Sequence, residues 1–444
     1  MRWRTRLEAL ALGLVLVATM TFPVQAAVNA ANVAADADWI MTARLSDGAI
    51  ANYVDRQAVW PYLSNFAAMG LAKATTVTGN ASYVGAAWSW LSWYQAHMNP
   101  QGFVTDYTLQ NGVLTSTGDM DSTDAYAGTF LLAVREAYRA NANKTQLTAL
   151  AAGVSNAVRA IEATQDTDGL TWAKPSWHVK YLMDQGESYA GLLAAVDIAN
   201  VLRNSTLANQ AMADALKMKN GVATLWNAAN AGYDWAKHDT GATTPADWSV
   251  LYSDSLQEAW AVAFGLVDTV RSPVLLSKFN TAQASWHLPT ATAVFSGGSS
   301  GQVGYWPVAG LGFDAIGSTL GATASNDIRS AALSAGRAWP FTTGNAGELI
   351  LLESGFSLPL AAAPANPQRA TVTSPGSRGS TLVGTQGSGT SAGATTTIAK
   401  PTTTTKPPPT TTTTKPPPTT TTTKPPLVQL QPPPPVPTVT VPTP

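Results

Sequence analysis

Cysteine is absent from this 444-residue chain, and charged residues make up only 12% of it. The absence of cysteine excludes disulfide bonds and thiolate metal sites, so a packed hydrophobic core must supply the stability. Histidine is also scarce, because only four residues are spread over the sequence. The sequence therefore predicts no metal site built on cysteine or histidine.

Basic residues are in deficit in the middle of the chain. Residues 28–360 contain 17 Lys and Arg but 26 Asp and Glu, a net charge of −9, whereas both terminal parts are basic. Proteins that bind nucleic acids depend on basic side chains that neutralise phosphates. The acidic middle therefore predicts that nucleic acid is not a partner.

Apolar runs long enough to span a membrane are also missing. The run Leu10–Met20 follows a basic N-terminal segment and is shorter than the roughly 20 residues that a spanning helix needs. Val24 and Ala26 then flank Gln25 in the small-x-small pattern of a cleavage site. We predict a signal peptide at residues 1–26, a secreted mature chain that begins at Ala27, and no transmembrane segment in that mature chain.

Residues 361–444 have a low-complexity composition. They are rich in Thr, Pro, Ala, Gly and Ser, and a nine-residue Thr/Lys/Pro unit recurs with Lys406, Lys415 and Lys424 in register. Such a sequence buries little apolar surface, and its prolines favour an extended polyproline II conformation. We predict a disordered tail or spacer, with association to the cell surface or cell wall. The remnant of a lost C-terminal module is the alternative.

The middle of the chain, residues 27–360, shows apolar residues at helical spacing. Helices are predicted over twelve segments: Ala34–Arg44, Asp55–Thr75, Ser82–His97, Thr123–Ala140, Gln146–Thr164, Glu187–Arg203, Leu207–Ala228, Asp254–Val270, Pro273–Trp286, Ala309–Leu320, Ser325–Ala338 and Asn345–Ser354. One helix of each pair is richer in Gly and Ala, which allows close packing on every side. Six hairpins of alternating inner and outer helices predict an all-α domain, an (α/α)6 toroid.

Acidic segments open three of the predicted inner helices, at Asp119–Tyr126, Tyr181–Tyr189 and Tyr252–Glu258. With the hairpin repeat, they make the chain resemble the six-hairpin glycosidase superfamily over roughly residues 34–354. The first segment is similar to the acidic Thr/Ser-Asp segment that opens an inner helix in family 8 glycosidases, but the Ser-Glu-Gly helix start of that family is not found in the first hairpin here. The resemblance implies a glycoside hydrolase whose inner helices begin around one groove. It also implies inversion of the anomeric centre, which prevails among the six-hairpin families.

Acidic residues of these segments are the catalytic candidates. Cleavage of a glycosidic bond needs one protonated carboxyl group and a second carboxylate that activates water or attacks directly. The candidates are Asp121, Asp124, Asp184, Glu187, Asp254 and Glu258. We favour Asp121 or Asp124 with Glu187 as the acid, because apolar neighbours of Glu187 raise a carboxyl pKa. Capping of a helix is the alternative role for each of these acids.

Aromatic residues accompany the acids in the same loops, and their rings suit the C–H faces of pyranose sugars. The predicted carbohydrate-binding residues are Trp60, Tyr62, Tyr126, Trp172, Trp177, His178, Tyr189, Trp248, Tyr305 and Trp306. Tyr252 and Glu348 also belong to these loops but lie outside the predicted catalytic and binding sets. The sequence thus predicts a groove for a poly- or oligosaccharide.

Two further hypotheses concern these residues. Asp119, Asp121 and Asp124 have the oxygen-rich spacing of a calcium-binding loop. A polysaccharide lyase on the same fold would use tyrosine or histidine with an asparagine or arginine that neutralises an acidic sugar, and Tyr189, His178, Tyr305 and Arg56 could serve. The acidic domain, however, would repel a uronate polymer.

A non-catalytic carbohydrate-binding surface protein is the remaining alternative, since a toroid that had lost its acid pair would keep the aromatic residues. An isoprenoid cyclase fits the aspartate-rich segment alone. The export signal and the acidic surface oppose it.

Overall fold

The computed structural model describes residues 28–356. The predicted signal peptide and the predicted tail lie outside these residues. Within the described part of the chain, no helix combines the length and the apolar character that crossing a membrane requires.

Six helices form a closed inner ring. Numbered in chain order with the rest, they are α2 (Pro61–Thr78), α4 (Thr123–Asn141), α7 (Leu182–Leu202), α9 (Leu256–Ala263), α11 (Pro307–Ala315) and α13 (Thr343–Glu353). Each inner helix packs against the next one, and α13 packs against α2, which closes the ring. Helix α7 is therefore three positions away from α13 and lies opposite it across the ring axis.

The remaining helices form an outer layer. They are α1 (Ala30–Thr42), α3 (Ala81–Ala96), the pair α5 (Lys144–Ala149) and α6 (Ala151–Thr164), α8 (Ser205–Ala223), α10 (Arg271–Ala282) and α12 (Leu320–Ser334). Outer and inner helices alternate along the chain and give six helical hairpins. The predicted all-α (α/α)6 toroid is confirmed.

Several predicted helix bounds were wrong. The segment Gln146–Thr164 forms two helices that meet at Leu150, and α2 begins at Pro61 rather than at Asp55 because proline suits the first turn of a helix. The segment Asp254–Val270 is helical only from Leu256 to Ala263, since the chain turns at Gly265, where φ is 70°. Helix α7 begins at Leu182, one turn earlier than predicted.

Short turns join the first five inner helices to the outer helix that follows each of them. Three of these turns place a residue in the left-handed region, with φ values of 77°, 49° and 58° at Gly79, Ala142 and Arg203. An asparagine follows each of them and caps the outer helix by accepting a backbone N–H at 3.1 Å. This combination ends one helix and starts an antiparallel one within two residues. All inner helices consequently run in the same direction.

Long loops lead from each outer helix to the next inner helix and lie at the opposite end, which we call the mouth. All described strands belong to these loops: β1 (Ala58–Val59), β2 (Tyr107–Gln110), β3 (Val113–Ser116), β4 (Val179–Tyr181), β5 (Trp226–Asn227), β6 (Gly232–His238), β7 (Thr243–Pro245), β8 (Thr292–Val294) and β9 (Ser300–Gln302). They pair only in antiparallel fashion, for example Val59 with Tyr107 and Tyr107 with Ser116. The strands thereby order the loops around the mouth.

Glycines allow the inner helices to touch backbone to backbone. A Cβ atom on Gly191 would lie 2.4 Å from Cα of Gly128, and one on Gly70 would lie 2.5 Å from Cα of Gly347. Real Cβ atoms do not approach backbone so closely, so only glycine fits at these crossings. Gly128 also packs against the backbone carbonyl of Glu187 at 2.6 Å from its would-be Cβ. The spacing of α4 and α7 therefore fixes the position of Glu187.

A buried ion cluster closes the seam between the first and the last hairpin. Asp36 of α1 is 1% exposed and forms ion pairs with Arg329 and Arg337, each at 2.6 Å. Arg329 also pairs with Glu353 at 2.5 Å. Because both arginines share these carboxylates, the cluster connects α1, α12 and α13 where the ring begins and ends.

Candidate active site

The N-terminal ends of all six inner helices bring acids and aromatic rings together at the mouth. We call this group the axial recess. It consists of Tyr62, Asp106, Asp121, Tyr126, Asp184, Glu187, Tyr252, Trp260, Trp306 and Glu348. The contacts described below connect its members across the ring.

Glu187 lies at the centre of the axial recess and is only 1% exposed. Its Oε1 atom accepts hydrogen bonds from the Tyr62 hydroxyl at 2.5 Å and from the Trp260 indole N–H at 2.9 Å. Its Oε2 atom is buried without a hydrogen-bond partner among the described residues. Burial raises the pKa of Glu187 to about 8, and the nearby charges of Asp124 and Asp121 add to this effect. The carboxyl group therefore holds a proton at neutral pH.

Glu348 provides a second buried carboxyl group from the opposite side of the ring. It is 3% exposed, and its Oε2 accepts one long hydrogen bond, 3.4 Å, from the Asn345 amide. Burial raises the pKa of Glu348 to about 8, and the charge of Glu187 raises it further. Glu348 and Glu187 are both the sixth residue of their inner helix, and a glycine precedes each. This shared Gly-Glu position was a sequence signal for Glu348 that the prediction missed.

Aromatic rings line the axial recess between these acids. Tyr62 stacks on Tyr126 with 6.0 Å between ring centroids, and Tyr252 stacks on Trp306 at 5.4 Å. Trp306 in turn meets the edge of Trp260 at 6.2 Å. Tyr62 and Tyr252 keep some exposed surface, yet burial is the main reason that the pKa of each is well above its usual value. Exposure combined with strong desolvation is typical of side chains in a concave pocket.

Three aspartates complete the acidic part of the axial recess. Asp106 accepts the Tyr126 hydroxyl at 2.8 Å, and burial raises its pKa to about 7. Asp121 is exposed and close enough for its charge to raise the pKa of Glu187 and of Tyr252. The charge of Asp184 acts on Tyr62 and Tyr252 in the same way. Asp106 was not among the predicted residues, and nothing in its local sequence distinguishes it.

Asp124 is fully buried and holds the loop before α7. Its Oδ1 accepts the Ser122 hydroxyl and its Oδ2 the Thr171 hydroxyl, both at 2.5 Å. Burial raises the pKa of Asp124 to about 6. Since both oxygens are engaged, Asp124 lies beneath the recess and orders its wall, whereas Asp121 faces the mouth.

Asp254 and Glu258 bond to loops and to a strand near the mouth. Asp254 accepts the backbone N–H of Asp247 at 3.0 Å and the Ser296 hydroxyl at 3.2 Å, which fastens neighbouring loops. Glu258 points toward β6, where its Oε1 accepts the Tyr233 backbone N–H at 2.6 Å. Burial raises the pKa of Glu258 to about 8 as well. These contacts bind the two acids to neighbouring loops and to β6.

The predicted aromatic residues divide in a similar way. Tyr62, Tyr126 and Trp306 line the axial recess. The Tyr305 carbonyl accepts the Asn345 amide, which also bonds Glu348, and Trp60 packs its edge on Trp339 at a centroid distance of 6.5 Å beside α2. Both residues thus adjoin the recess.

The other predicted aromatic residues have partners elsewhere. Tyr189 faces the outer helix α8, with Lys219 5.6 Å from its ring, and Trp248 packs under Lys278 at 4.3 Å. Lys180 lies 4.0 Å above the Trp172 ring. Trp177 donates to the Tyr181 hydroxyl at 2.9 Å, and His178 is exposed and bonds the Pro175 carbonyl in its own turn. Tyr189 thus packs between helices α7 and α8, and the other four rings pack against their neighbours in the loops.

The structure does not gather the three aspartates of the suggested calcium loop. Asp119 forms an ion pair with Lys174 at 2.7 Å, and the oxygens of Asp124 are engaged as described. Across residues 28–356, no group of three or more His, Cys, Asp or Glu is placed to hold a metal ion. Arg56, suggested for a lyase, donates to the Thr42 carbonyl instead, at 2.7 Å.

Several solved structures share this fold. A mannosylglycerate hydrolase of glycoside hydrolase family 63 from Thermus thermophilus, in complex with glucose, is 12% identical with a TM-score of 0.55, and the alignment covers 73% of this chain and 99% of that one. A glycosidase variant in complex with glucose is 16% identical with a TM-score of 0.52, covering 74% and 96%. An uncharacterized conserved protein from Thermus thermophilus is 13% identical with a TM-score of 0.53, covering 73% and 99%.

The class defined by these comparisons is that of the six-hairpin (α/α)6 toroids. No protein-family model matches the chain, and no curated protein matches it. At 12–16% identity the likeness establishes the fold alone.

Proposed function

We propose that the protein is a glycoside hydrolase that cleaves a poly- or oligosaccharide in the axial recess. The observation that carries this proposal is the pair of buried carboxyl groups, Glu187 and Glu348, on opposite sides of the ring axis. Hydrolysis of a glycosidic bond uses two such groups, one on each side of the sugar. The fold is shared with a mannosylglycerate hydrolase and with a glucose-bound glycosidase, which supports a pyranoside substrate.

Glu187 acts as the general acid in this proposal. Its Oε1 already accepts two hydrogen bonds, so a proton on the carboxyl group resides on Oε2, which has no partner among the described residues. This proton is therefore available for the leaving oxygen of the substrate. The pKa of about 8 keeps Glu187 protonated at neutral pH.

Glu348 acts as the base that activates water. The charge of Glu187 raises the pKa of Glu348, so protonation of Glu187 removes this repulsion and makes ionisation of Glu348 easier. Because both pKa values are about 8, a protonated Glu187 facing an ionised Glu348 forms as the pH rises toward 8. Water attack from that side inverts the anomeric centre, as the resemblance to six-hairpin glycosidases implies. Asp121, which we predicted as the partner of Glu187, and Asp184 then bind sugar hydroxyl groups.

The terminal parts of the chain suggest where the protein acts. We propose that residues 1–26 direct export and that residues 361–444 act as a spacer at the cell surface or cell wall. Mass spectrometry of the protein from culture medium tests the first part, because the N-terminus should then be Ala27. Retention of Met1 in exported protein would contradict it.

A polysaccharide panel tests the activity directly. The purified full-length chain is incubated with plant, fungal and bacterial polysaccharides, and reducing ends are followed together with the ultraviolet absorbance of unsaturated sugars. New reducing ends without absorbance support the hydrolase, whereas rising absorbance would establish a lyase. Binding without either signal would establish the non-catalytic alternative. Proton NMR of the first product formed decides between inversion and retention.

Rescue experiments separate the two carboxyl roles. Glu348→Ala should regain turnover with added azide, which replaces an absent base. Glu187→Ala should regain it on substrates with an activated leaving group, which need no acid. The matched control is Glu353→Ala, the same change in the seam cluster at the other end of α13. The reverse pattern of rescue would exchange the two roles.

A further inference from the structure

A second groove lies outside the inner ring, along the outer helix α3, and we call it the α3 groove. Its volume is about 710 Å³, within the range of roughly 300–1,000 Å³ that ligand sites occupy. Residues of α3 line it at helical spacing, at Ala81, Gly85, Trp88, Ser92 and Ala96. The α3 groove therefore follows one face of the helix over about 22 Å. No member of the axial recess lines it.

Gly85 widens the α3 groove. It lies beyond the first turn of α3, where glycine costs a helix about 1 kcal/mol relative to alanine. A Cβ atom at this position would meet nothing within 4 Å among the described residues. Close packing, which requires glycine where the inner helices cross, therefore does not require it here. The glycine leaves space for a ligand at a cost in helix stability.

Arg44 borders the α3 groove from the loop that follows α1. Its Nε atom is buried and has no hydrogen-bond partner among the described residues. A buried donor that stays unpaired costs about 1–3 kcal/mol, and an oxygen atom of a bound molecule would remove that cost. Arg44 thus indicates a ligand that carries acceptor oxygens.

Amide and hydroxyl groups accompany Arg44 in the α3 groove. The side-chain oxygen of Asn141 accepts the Trp88 indole N–H at 3.4 Å, and that of Asn143 accepts the Gln146 backbone N–H at 3.1 Å. These contacts leave the two amide NH₂ groups as donors. The Ser92 hydroxyl donates to the Trp88 carbonyl at 2.9 Å, so its oxygen can still accept. The α3 groove thereby offers both donors and acceptors, as sugar hydroxyl groups require.

The charges of the α3 groove favour a neutral ligand. One arginine, Arg44, and one aspartate, Asp47, line it, and Asp47 accepts the Trp93 indole N–H at 3.1 Å. None of the exposed large hydrophobic side chains in the described part of the chain lines the groove. An apolar peptide or a lipid would therefore find no exposed anchor there, whereas a polyhydroxylated chain needs none.

We propose that the α3 groove binds a neutral saccharide chain, as a second glycan site outside the axial recess. Arg44 and the amides of Asn141 and Asn143 donate to sugar oxygens, and Ser92 accepts from a sugar hydroxyl. Gly85 lets the sugar rings approach the helix. Because the lined face extends over about 22 Å, the ligand is a chain of several sugars and not a single ring. The site involves no bond cleavage and does not depend on the proposed function.

Affinity electrophoresis tests the proposal. The full-length Glu187→Gln chain, which leaves its probes intact, is run in native gels that contain a soluble neutral polysaccharide: a mixed-linkage β-glucan, a glucomannan, an arabinoxylan or glycogen. We expect at least one of them to retard the chain. Adding Gly85→Leu, which fills the groove, or Arg44→Gln, which removes the unpaired donor, should each weaken that binding about tenfold. Absence of retardation, or binding that neither variant weakens, would overturn the proposal.

Ala322→Leu is the matched control, since it adds the same side chain on the exposed surface of another outer helix, α12. It should bind as tightly as the parent chain, and an equal loss would refute the assignment to the α3 groove. Hydrogen exchange locates the ligand: a bound oligosaccharide should slow exchange at residues 44–48 and 141–146. Slowing there by a synthetic peptide of residues 401–424, but not by a saccharide, would assign the groove to the chain's own Thr/Pro segment and refute the saccharide.

Turnover by the unmodified chain separates this inference from the proposed function. Groove-dependent retardation without cleavage of any polysaccharide in the panel would support the second site and contradict the hydrolase. Cleavage without groove-dependent retardation would support the hydrolase and contradict the second site.

Discussion

Replacing Tyr62 by phenylalanine should shift the pH dependence of turnover upward. The Tyr62 hydroxyl donates to Oε1 of Glu187 at 2.5 Å and stabilises its ionised form, which lowers the pKa of Glu187. A hydrogen bond to a charged group contributes about 1.5–3 kcal/mol, and one pKa unit corresponds to about 1.4 kcal/mol. Without this bond the pKa of Glu187 should rise by about one to two units above its value of about 8.

The sign of the shift follows from the role of Glu187. An acid catalyst works only while it is protonated, so activity falls as the pH rises through its pKa. In the unmodified chain this fall should occur near pH 8, and in Tyr62→Phe at a pH about one to two units higher. Initial rates over a pH series, measured as kcat and as kcat/KM, give the position of the fall in both forms.

Tyr83→Phe is the matched control for this measurement. It removes another tyrosine hydroxyl that donates to a carboxylate, that of Asp38 at 2.6 Å, but between the outer helices α3 and α1. Its pH profile should coincide with that of the unmodified chain. A profile of Tyr62→Phe that stays in place or moves to lower pH would refute Glu187 as the acid.

Three further predictions concern stability. Glu258 has a pKa of about 8 in the folded chain against an ordinary value of 4.5, so its contribution to stability is present below pH 4.5 and is lost as the pH rises through 8. Glu258→Gln should therefore raise Tm at pH 8, leave Tm unchanged at pH 4.5 and retain turnover. A loss of turnover would return Glu258 to the catalytic set. Gly128→Ala should lower the free energy of unfolding in urea by about 1–3 kcal/mol because its Cβ meets the α7 backbone. Gly85→Ala has open space around its Cβ and should be neutral or stabilising. Equal effects would contradict the close packing of α4 on α7. Asp36→Asn should cost about 3–5 kcal/mol in the free energy of unfolding, since it leaves the buried Arg329 and the half-buried Arg337 underpaired. Lys217→Ala on the exposed surface should cost less than about 1 kcal/mol, and similar losses would show that the seam is not closed by charge.

The helical hairpins could be predicted from local sequence. Periodic apolar residues located all twelve helical segments, and Gly and Ala marked the inner ones because those helices are packed on every side. The bounds were less accurate where a single residue decides them, as at Pro61 and Gly265. Such ends depend on capping and on backbone conformation, which an average over many residues does not contain.

Only the tertiary structure determined which acids share a site. Glu187 could be proposed from its apolar neighbours, but Glu348 lies on the last inner helix and meets Glu187 only because the ring closes. Glu258 lies in the first turn of another inner helix, α9, yet its carboxylate accepts the backbone N–H of Tyr233 in β6. The sequence thus determined the hairpins and their inner faces, since these follow from local spacing and composition. The pairing of carboxyl groups across the axis depends on contacts between residues far apart in the chain, which local spacing does not encode.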